Sequence, residues 1–295
     1  MVGGKRMVAK IIDGKSIALK KREEIAIEVK RLKENGIIPG LAVILVGDNS
    51  ASKTYVASKQ RACRELGMHS LLIEFPETLT QTELLTKINE LNSDPSIHGI
   101  LVQLPLPKQI DESQIIEAIS AEKDVDGFHP INVGRMMTRQ DSFLPCTPYG
   151  VMVMLKESGI DIAGKHVVIV GRSNIVGKPS GQLFLNEDAT VTYCHSKTIN
   201  MSSYTLNADI LVSAVGKPNF ITYDMVKEGA VVIDVGINRN SEGKLCGDVD
   251  FEHVKEKASF ITPVPGGVGP MTITMLMFNT LKSARQLQEK RVVNN

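Results

Sequence analysis

The chain has 295 residues, long enough for two ordinary domains that each bury a core without disulfides or metal. With 34 basic against 33 acidic residues it has neither a field to gather nucleic acid nor the acidic excess of a solvating tail, so a small-molecule partner is expected. No apolar run reaches the roughly 18–20 residues of a membrane span and no signal-peptide core opens the chain, which points to the cytoplasm and to no membrane partner.

Met1 to Arg6 precede a second methionine, Met7, and carry no pattern; they read as an added leader or a fraying end. From there the first half alternates helical and apolar segments. Lys15 to Glu34 is helical, and Leu41 to Val46 is an unbroken apolar run suited to a strand buried on both faces. A helix over Lys53 to Leu66, a strand over Ser70 to Phe75, a helix over Gln81 to Leu91 and a strand over Ile97 to Val102 follow, the last ended by Pro105 and Pro107. Glu112 to Ile119 is the next helix, and a loop holding Asp124 to Pro130 closes this half.

Thr147-Pro148 supplies an N-cap and first-turn proline for a linking helix, Pro148 to Ser158, stopped near Gly159. Strands at His166 to Val170, Thr190 to Tyr193, Ile210 to Ala214 and Ala230 to Val235 then alternate with helix-length segments, and Thr272 to Glu289 forms a long final helix suited to a second bridge back to the first domain. The expected fold is α/β, two parallel-sheet domains with a substrate cleft between them: 7–147 plus 271–295, and 148–270, the second a Rossmann-type unit.

Gly171-Arg-Ser-Asn-Ile-Val-Gly177 lies where a Rossmann unit turns from its first strand into its first helix and holds a pyrophosphate. Ser173 stands at the second glycine landmark, and the helix-packing glycine, Gly177, comes one residue late. A P-loop fits poorly, because five residues separate the glycines and Pro179 replaces the magnesium-binding hydroxyl. A bare glycine turn without ligand is the plainer alternative. The second strand ends in Tyr193-Cys-His-Ser-Lys197, with no carboxylate for a ribose diol; Arg172, Ser196 and, less specifically, Lys197 suit a 2′-phosphate, so NADP is the expected cofactor.

Tyr55 and Lys59 stand four apart on one helix, a spacing that also suits an ordinary surface contact. Gln103, at the carboxyl end of its strand, and Asp126, in the next loop, place polar groups where open α/β sheets bind ligands. The four cysteines, Cys63, Cys146, Cys194 and Cys246, have neither CxxC nor histidine spacing and read as free thiols, with no metal expected.

Tyr55-Val-Ala-Ser-Lys59, Val102-Gln-Leu-Pro-Leu-Pro107, Lys123-Asp-Val-Asp-Gly-Phe128, Gly171 to Pro179 and Pro263-Val-Pro-Gly-Gly-Val-Gly-Pro270 together resemble the bifunctional methylenetetrahydrofolate dehydrogenase/methenyltetrahydrofolate cyclohydrolase (FolD) family, in order from about Ile11 to Ala284. The resemblance implies NADP-dependent oxidation of methylenetetrahydrofolate to the methenyl form, then hydrolysis to formyltetrahydrofolate, in one-carbon metabolism. It implies Lys59 as proton carrier, Tyr55 orienting the substrate ring, Gln103 holding Lys59, and Asp126 taking the pterin, with Asp124 a competitor for that last role. It further implies cofactor contact from the Ile237 backbone, close approach at Gly266 and Gly267, and a homodimer through the cofactor domain. The glycine loop from Gly266 is equally readable as a plain turn, and the resemblance assigns no catalysis to His129, His195 or His253. Two rivals stay open: a monofunctional NADP-dependent dehydrogenase of the same fold, and a non-catalytic NADP or folate sensor.

Overall fold

The computed structural model describes residues 8–293; the leader Met1–Arg6 and the expected domain start at Met7 lie outside them. Along the chain come β1 (Lys10–Ile11), α1 (Gly14–Glu34), β2 (Gly40–Val46), α2 (Ser50–Leu66), β3 (His69–Phe75), α3 (Gln81–Ser93), β4 (Gly99–Val102), α4 (Glu112–Ala118) and α5 (Pro130–Met137). Then follow α6 (Cys146–Glu157), β5 (His166–Val170), α7 (Gly177–Asn186), β6 (Thr190–Cys194), α8 (Met201–Thr205), β7 (Ile210–Ser213) and β8 (Val231–Asp234). The last elements are β9 (Asn238–Arg239), β10 (Leu245–Cys246), α9 (Phe251–Val254), β11 (Phe260–Ile261) and α10 (Val268–Val293).

The described chain divides into two compact units, residues 19–146 with 273–293, and residues 8–18 with 147–272. In the first unit three parallel strands run in the order β3-β2-β4. Every residue of β2 is buried, because a parallel strand covered on both faces has no side left for polar groups. Ala42, Ile44 and Val46 join Leu84, Ile88, Ile100 and Ile115 in one core, each large aliphatic side chain contributing roughly 1.5–3 kcal/mol by leaving water. Asn49 caps α2 by accepting from the Ser52 N–H at 3.0 Å, and Gly67 ends it in the left-handed conformation.

The second unit carries six parallel strands in the order β1-β11-β8-β7-β5-β6. Strand order reverses around β5, with β6 on one side and β7 on the other, which is the switch point where open α/β sheets bind ligands. The boundaries between units fall inside α1 and α10 as well as at the head of α6. The N-terminal segment thus differs from the expected division: β1 pairs with β11, so residues 8–18 go with the six-stranded sheet. Two residues of strand show no periodicity, and only their partner reveals them. Beyond Ile273, α10 packs on the three-stranded unit, where the Asn279 amide donates to the carbonyls of Val125 and Leu144 at 2.8 and 3.0 Å.

Candidate active site

In the three-stranded unit, α2 and the carboxyl end of β4 bring two of the expected residues into contact. Lys59 Nζ donates to Gln103 Oε1 at 2.9 Å, and Gln103 Nε2 donates to the Leu104 carbonyl at 2.8 Å. The second bond holds the amide with its oxygen toward the lysine. Tyr55 lies one turn earlier on the same helix and is 38% exposed. Within β4, the Ile100 N–H donates to the Lys123 carbonyl at 2.8 Å, and Ile100 forms a parallel bridge with Asp124. That bridge carries the chain on to Asp126.

Asp124 and Asp126 stand two residues apart and have different tasks. The Asp124 carboxylate accepts from the N–H groups of Gly127, Phe128 and His129 at 3.2, 3.2 and 2.9 Å and from Asn132 Nδ2 at 2.8 Å. Its oxygens are committed to folding the loop. Burial still pushes its pKa upward, against those donors. Asp126 has no such set of backbone donors. Burial raises its pKa to about 6, with Lys59 pulling it down and Asp124 pushing it up.

Lys59 is half-buried, and removal of its ammonium from water drives its pKa below the ordinary lysine range, opposed by Asp126. A carboxylate that holds a proton longer than usual and an amine that releases one sooner are thus electrostatically coupled. Cys146, a free thiol as expected, belongs to the same cluster: its Sγ donates to the Val125 carbonyl at 3.3 Å, and burial with Asp126 keeps it a neutral thiol. No spacing signal links Cys146 to Lys59; only the fold does.

The six-stranded unit holds the glycine turn. Gly171 has φ 133°, and a Cβ there would stand 2.4 Å from the Ala214 carbonyl at the end of β7. A Cβ on Gly177 would stand 2.5 Å from the Gly171 carbonyl, so the start of α7 is pressed against the turn. Ser173 Oγ accepts from the N–H groups of Val176 and Gly177, both at 3.2 Å, and so fills the place of the missing glycine by ordering the turn. Arg172, Ser196, Lys197 and Ile237 are all exposed, Ser196 following β6 and Ile237 following β8. Gly266 and Gly267 lie in this unit, where the Gly266 carbonyl accepts from the Lys15 N–H at 3.0 Å and a Cβ on Gly267 would stand 2.5 Å from the Pro263 carbonyl. Three histidines passed over by the sequence reading have local work. His129 caps α5, His195 Nδ1 accepts from the Lys197 N–H at 3.2 Å, and His253 pairs with Asp250 at 2.7 Å.

The turn at Gly171 and Gly177, shaped so that side chains cannot enter, fits a dinucleotide pyrophosphate. Comparison with known proteins agrees for both units. Residues 12–126 match the family model described as the catalytic domain of tetrahydrofolate dehydrogenase/cyclohydrolase, and residues 145–288 match its NAD(P)-binding domain. A curated bifunctional protein FolD of Bacillus cereus is 65% identical over 280 residues, 95% of this chain and 98% of the relative. The crystal structure of a bifunctional FolD methylenetetrahydrofolate dehydrogenase/cyclohydrolase from Campylobacter jejuni superposes with TM-score 0.93 at 56% identity, covering 94% of this chain and 99% of that one. The dehydrogenase-cyclohydrolase of Trypanosoma brucei, solved with NADP cofactor and inhibitor, superposes with TM-score 0.91 at 40% identity, over 95% of this chain and 98% of that one. The chain therefore belongs to the tetrahydrofolate dehydrogenase/cyclohydrolase family, and it carries both of the family's domains.

Proposed function

We propose that the protein oxidises methylenetetrahydrofolate with NADP to methenyltetrahydrofolate and then hydrolyses that product to formyltetrahydrofolate, with Lys59 as the proton carrier of the second step. The observation that carries the reading is the Lys59–Gln103 hydrogen bond of 2.9 Å, with Lys59 electrostatically coupled to an Asp126 whose pKa is raised to about 6 by removal from water.

Bound NADP supplies the hydride acceptor. The carbon that gives up the hydride lies between two nitrogens, which share the resulting positive charge, so the oxidation needs alignment more than a base. Tyr55 orients the folate ring and Asp126 accepts the pterin's N–H groups, as a carboxylate can in pairs. Hydrolysis differs, because water must lose a proton as it adds to the methenyl carbon and the departing nitrogen must gain one as the ring opens, while the adduct's hydroxyl releases its own proton to solvent on becoming the formyl carbonyl. A neutral Lys59 amine takes the first proton and its ammonium delivers the second, while Gln103 keeps Nζ in place. The cationic substrate favours the neutral amine further.

In the cofactor unit the turn from Gly171 to Gly177 holds the pyrophosphate, with Ser173 ordering that turn. Arg172 and Ser196 receive the 2′-phosphate, and the Ile237 backbone meets the nicotinamide amide. Gly266 and Gly267 let backbone approach substrate and cofactor closely. The chain pairs as a homodimer through this unit, a role suited to β6, which lies at the edge of the six-stranded sheet.

The test follows absorbance at the methenyl band with purified protein, methylenetetrahydrofolate and either NADP or NAD. Methenyl that forms with NADP and then decays supports both activities; methenyl that forms and persists reduces the protein to a dehydrogenase. No folate-dependent NADP reduction removes the substrate assignment and leaves a binding protein.

A further inference from the structure

Two buried aspartates in the cofactor unit have no part in the chemistry above. Asp248 is fully buried and Asp234 is 3% exposed. Asp234 ends β8; its Oδ1 accepts from the N–H groups of Gly236 and Asp248 at 2.9 and 3.0 Å, and its Oδ2 from the Val249 N–H at 2.9 Å. Asp248 then reaches back to the loop after β7. Its Oδ2 accepts from Ser213 Oγ and the N–H groups of Val215 and Gly216 at 3.2, 2.7 and 3.2 Å. Its Oδ1 accepts from the Lys217 N–H and from Asn238 Nδ2, both at 2.9 Å.

One carboxylate therefore ties the loop after β7 to the loop after β8. These loops leave the carboxyl ends of adjacent strands beside the switch point, and the first abuts the glycine turn through Ala214. Ile237 stands between two pinned residues, Gly236 held by Asp234 and Asn238 held by Asp248. The fit leaves no room for side chains: a Cβ on Gly236 would stand 2.2 Å from Asp248 Oδ1, and one on Gly247 would stand 1.8 Å from Asp234 Oδ2. Backbone donors this numerous make a rigid mount, since each would be left buried and unpaired if the loops moved.

We propose that Asp248 is a positioning residue for the dehydrogenase step, its carboxylate setting the loops after β7 and β8 to receive the nicotinamide end of the cofactor. This rests on the reading of Ile237 as the nicotinamide contact. Asp248 touches neither reactant; it acts through the Ile237 backbone. The adenine half belongs to the Gly171 turn and Ser196, and hydrolysis of methenyltetrahydrofolate uses no nucleotide, so both are independent of Asp248.

Asp248→Asn keeps the volume, yet either orientation of its amide turns N–H groups toward at least two donors. Three readouts on the full-length enzyme separate the possibilities: dehydrogenase kcat and KM for NADP, inhibition by 2′-phospho-ADP-ribose as a probe of the adenine half alone, and hydrolysis of supplied methenyltetrahydrofolate. The expected result is a loss of about tenfold or more in kcat/KM for NADP, with unchanged inhibition by the probe and unchanged hydrolysis. Asn238→Ala, which removes one donor to Oδ1, shows the same pattern at about threefold and is read alone if Asp248→Asn does not fold. Equal loss in all three readouts, or loss in none, overturns the proposal. If wild-type enzyme holds NADP no tighter than the probe, the Ile237 reading itself fails; if it does hold NADP tighter and Asp248→Asn keeps that advantage, only the role of Asp248 fails.

Discussion

The two units each enclose a pair of aspartates, buried Asp124 with half-buried Asp126 and buried Asp234 with buried Asp248, and removal from water is the largest influence on three of the four. It raises Asp126 to about 6 and Asp234 to about 7, and pushes Asp124 upward as well. What answers that cost differs. Asp124, Asp234 and Asp248 are met by backbone N–H groups, fixed dipoles that cannot change charge. Asp126 is met by the charge of Lys59, an amine whose own proton is loosened by the same burial. The first kind of answer makes a frame; the second, on the proposed mechanism, makes a reagent. A buried carboxylate is thus informative about function only once its partner is known.

The strongest way to break the contrast is to remove the one partner that can titrate. Lys59→Met keeps the stem and deletes the ammonium, so hydrolysis of methenyltetrahydrofolate is expected to fall about 10²- to 10⁴-fold, the range for loss of a general acid-base. Hydride transfer, which needs alignment, persists, and methenyltetrahydrofolate accumulates in a stopped-flow trace at its absorbance band. Loss of both activities in step would place Lys59 in substrate alignment and remove the distinction between reagent and frame.

A carboxylate of the frame, changed alone, should act on the fold. In Asp124→Asn either amide orientation aims N–H groups at N–H donors, and the expected cost is about 3 kcal/mol of unfolding free energy, read by urea denaturation. Because Asp124 folds the loop that presents Asp126, KM for the folate rises with it, and the limb set by Asp126 moves only slightly to lower pH as the Asp124 charge is withdrawn. A strongly shifted pH profile at unchanged stability would mean that Asp124 shares the proton chemistry.

Much of this was legible in the sequence because parallel sheets advertise themselves. β2, β5, β7 and β8 are short runs of buried aliphatic residues, and their spacing gives the α/β architecture directly. The contact of Lys59 with Gln103 was foreshadowed by strand-end position and motif, and the close approach of Gly177 to Gly171 by the strand-turn-helix context. Hidden features share one physical trait: they depend on partners distant in sequence. β1 is two residues that make sense only beside β11, Cys146 is a buried thiol that matters only beside Asp126, and Asp248 is an acidic residue in a polar loop until its oxygens meet the loop after β7. The helix α5 was missed for another reason, since Pro130 looks like a stop to the preceding loop but serves as the first-turn proline behind the His129 cap.

The smallest effect expected is also the one whose sign separates the two kinds of aspartate most cleanly. Asp126 has a folded pKa of about 6 against an ordinary value of 3.8, so the folded protein holds that proton more tightly than the unfolded chain does. Its contribution to stability is therefore fully present below the unfolded pKa and is lost as pH rises through the folded pKa. Asp126→Asn is neutral at every pH and removes this decline. Relative to wild type the variant should gain about 2 kcal/mol on going from about pH 4 to pH 7, seen as a difference in melting temperature that widens with pH. Removing the Asp126 charge also withdraws the influence that holds the Lys59 pKa up, so the lysine limb of the hydrolysis profile moves to lower pH even as the folate binds more weakly. A melting difference that is flat across this range would mean that Asp126 has the same pKa folded and unfolded, so that its removal from water is fully offset and it holds its proton no longer than an ordinary carboxylate.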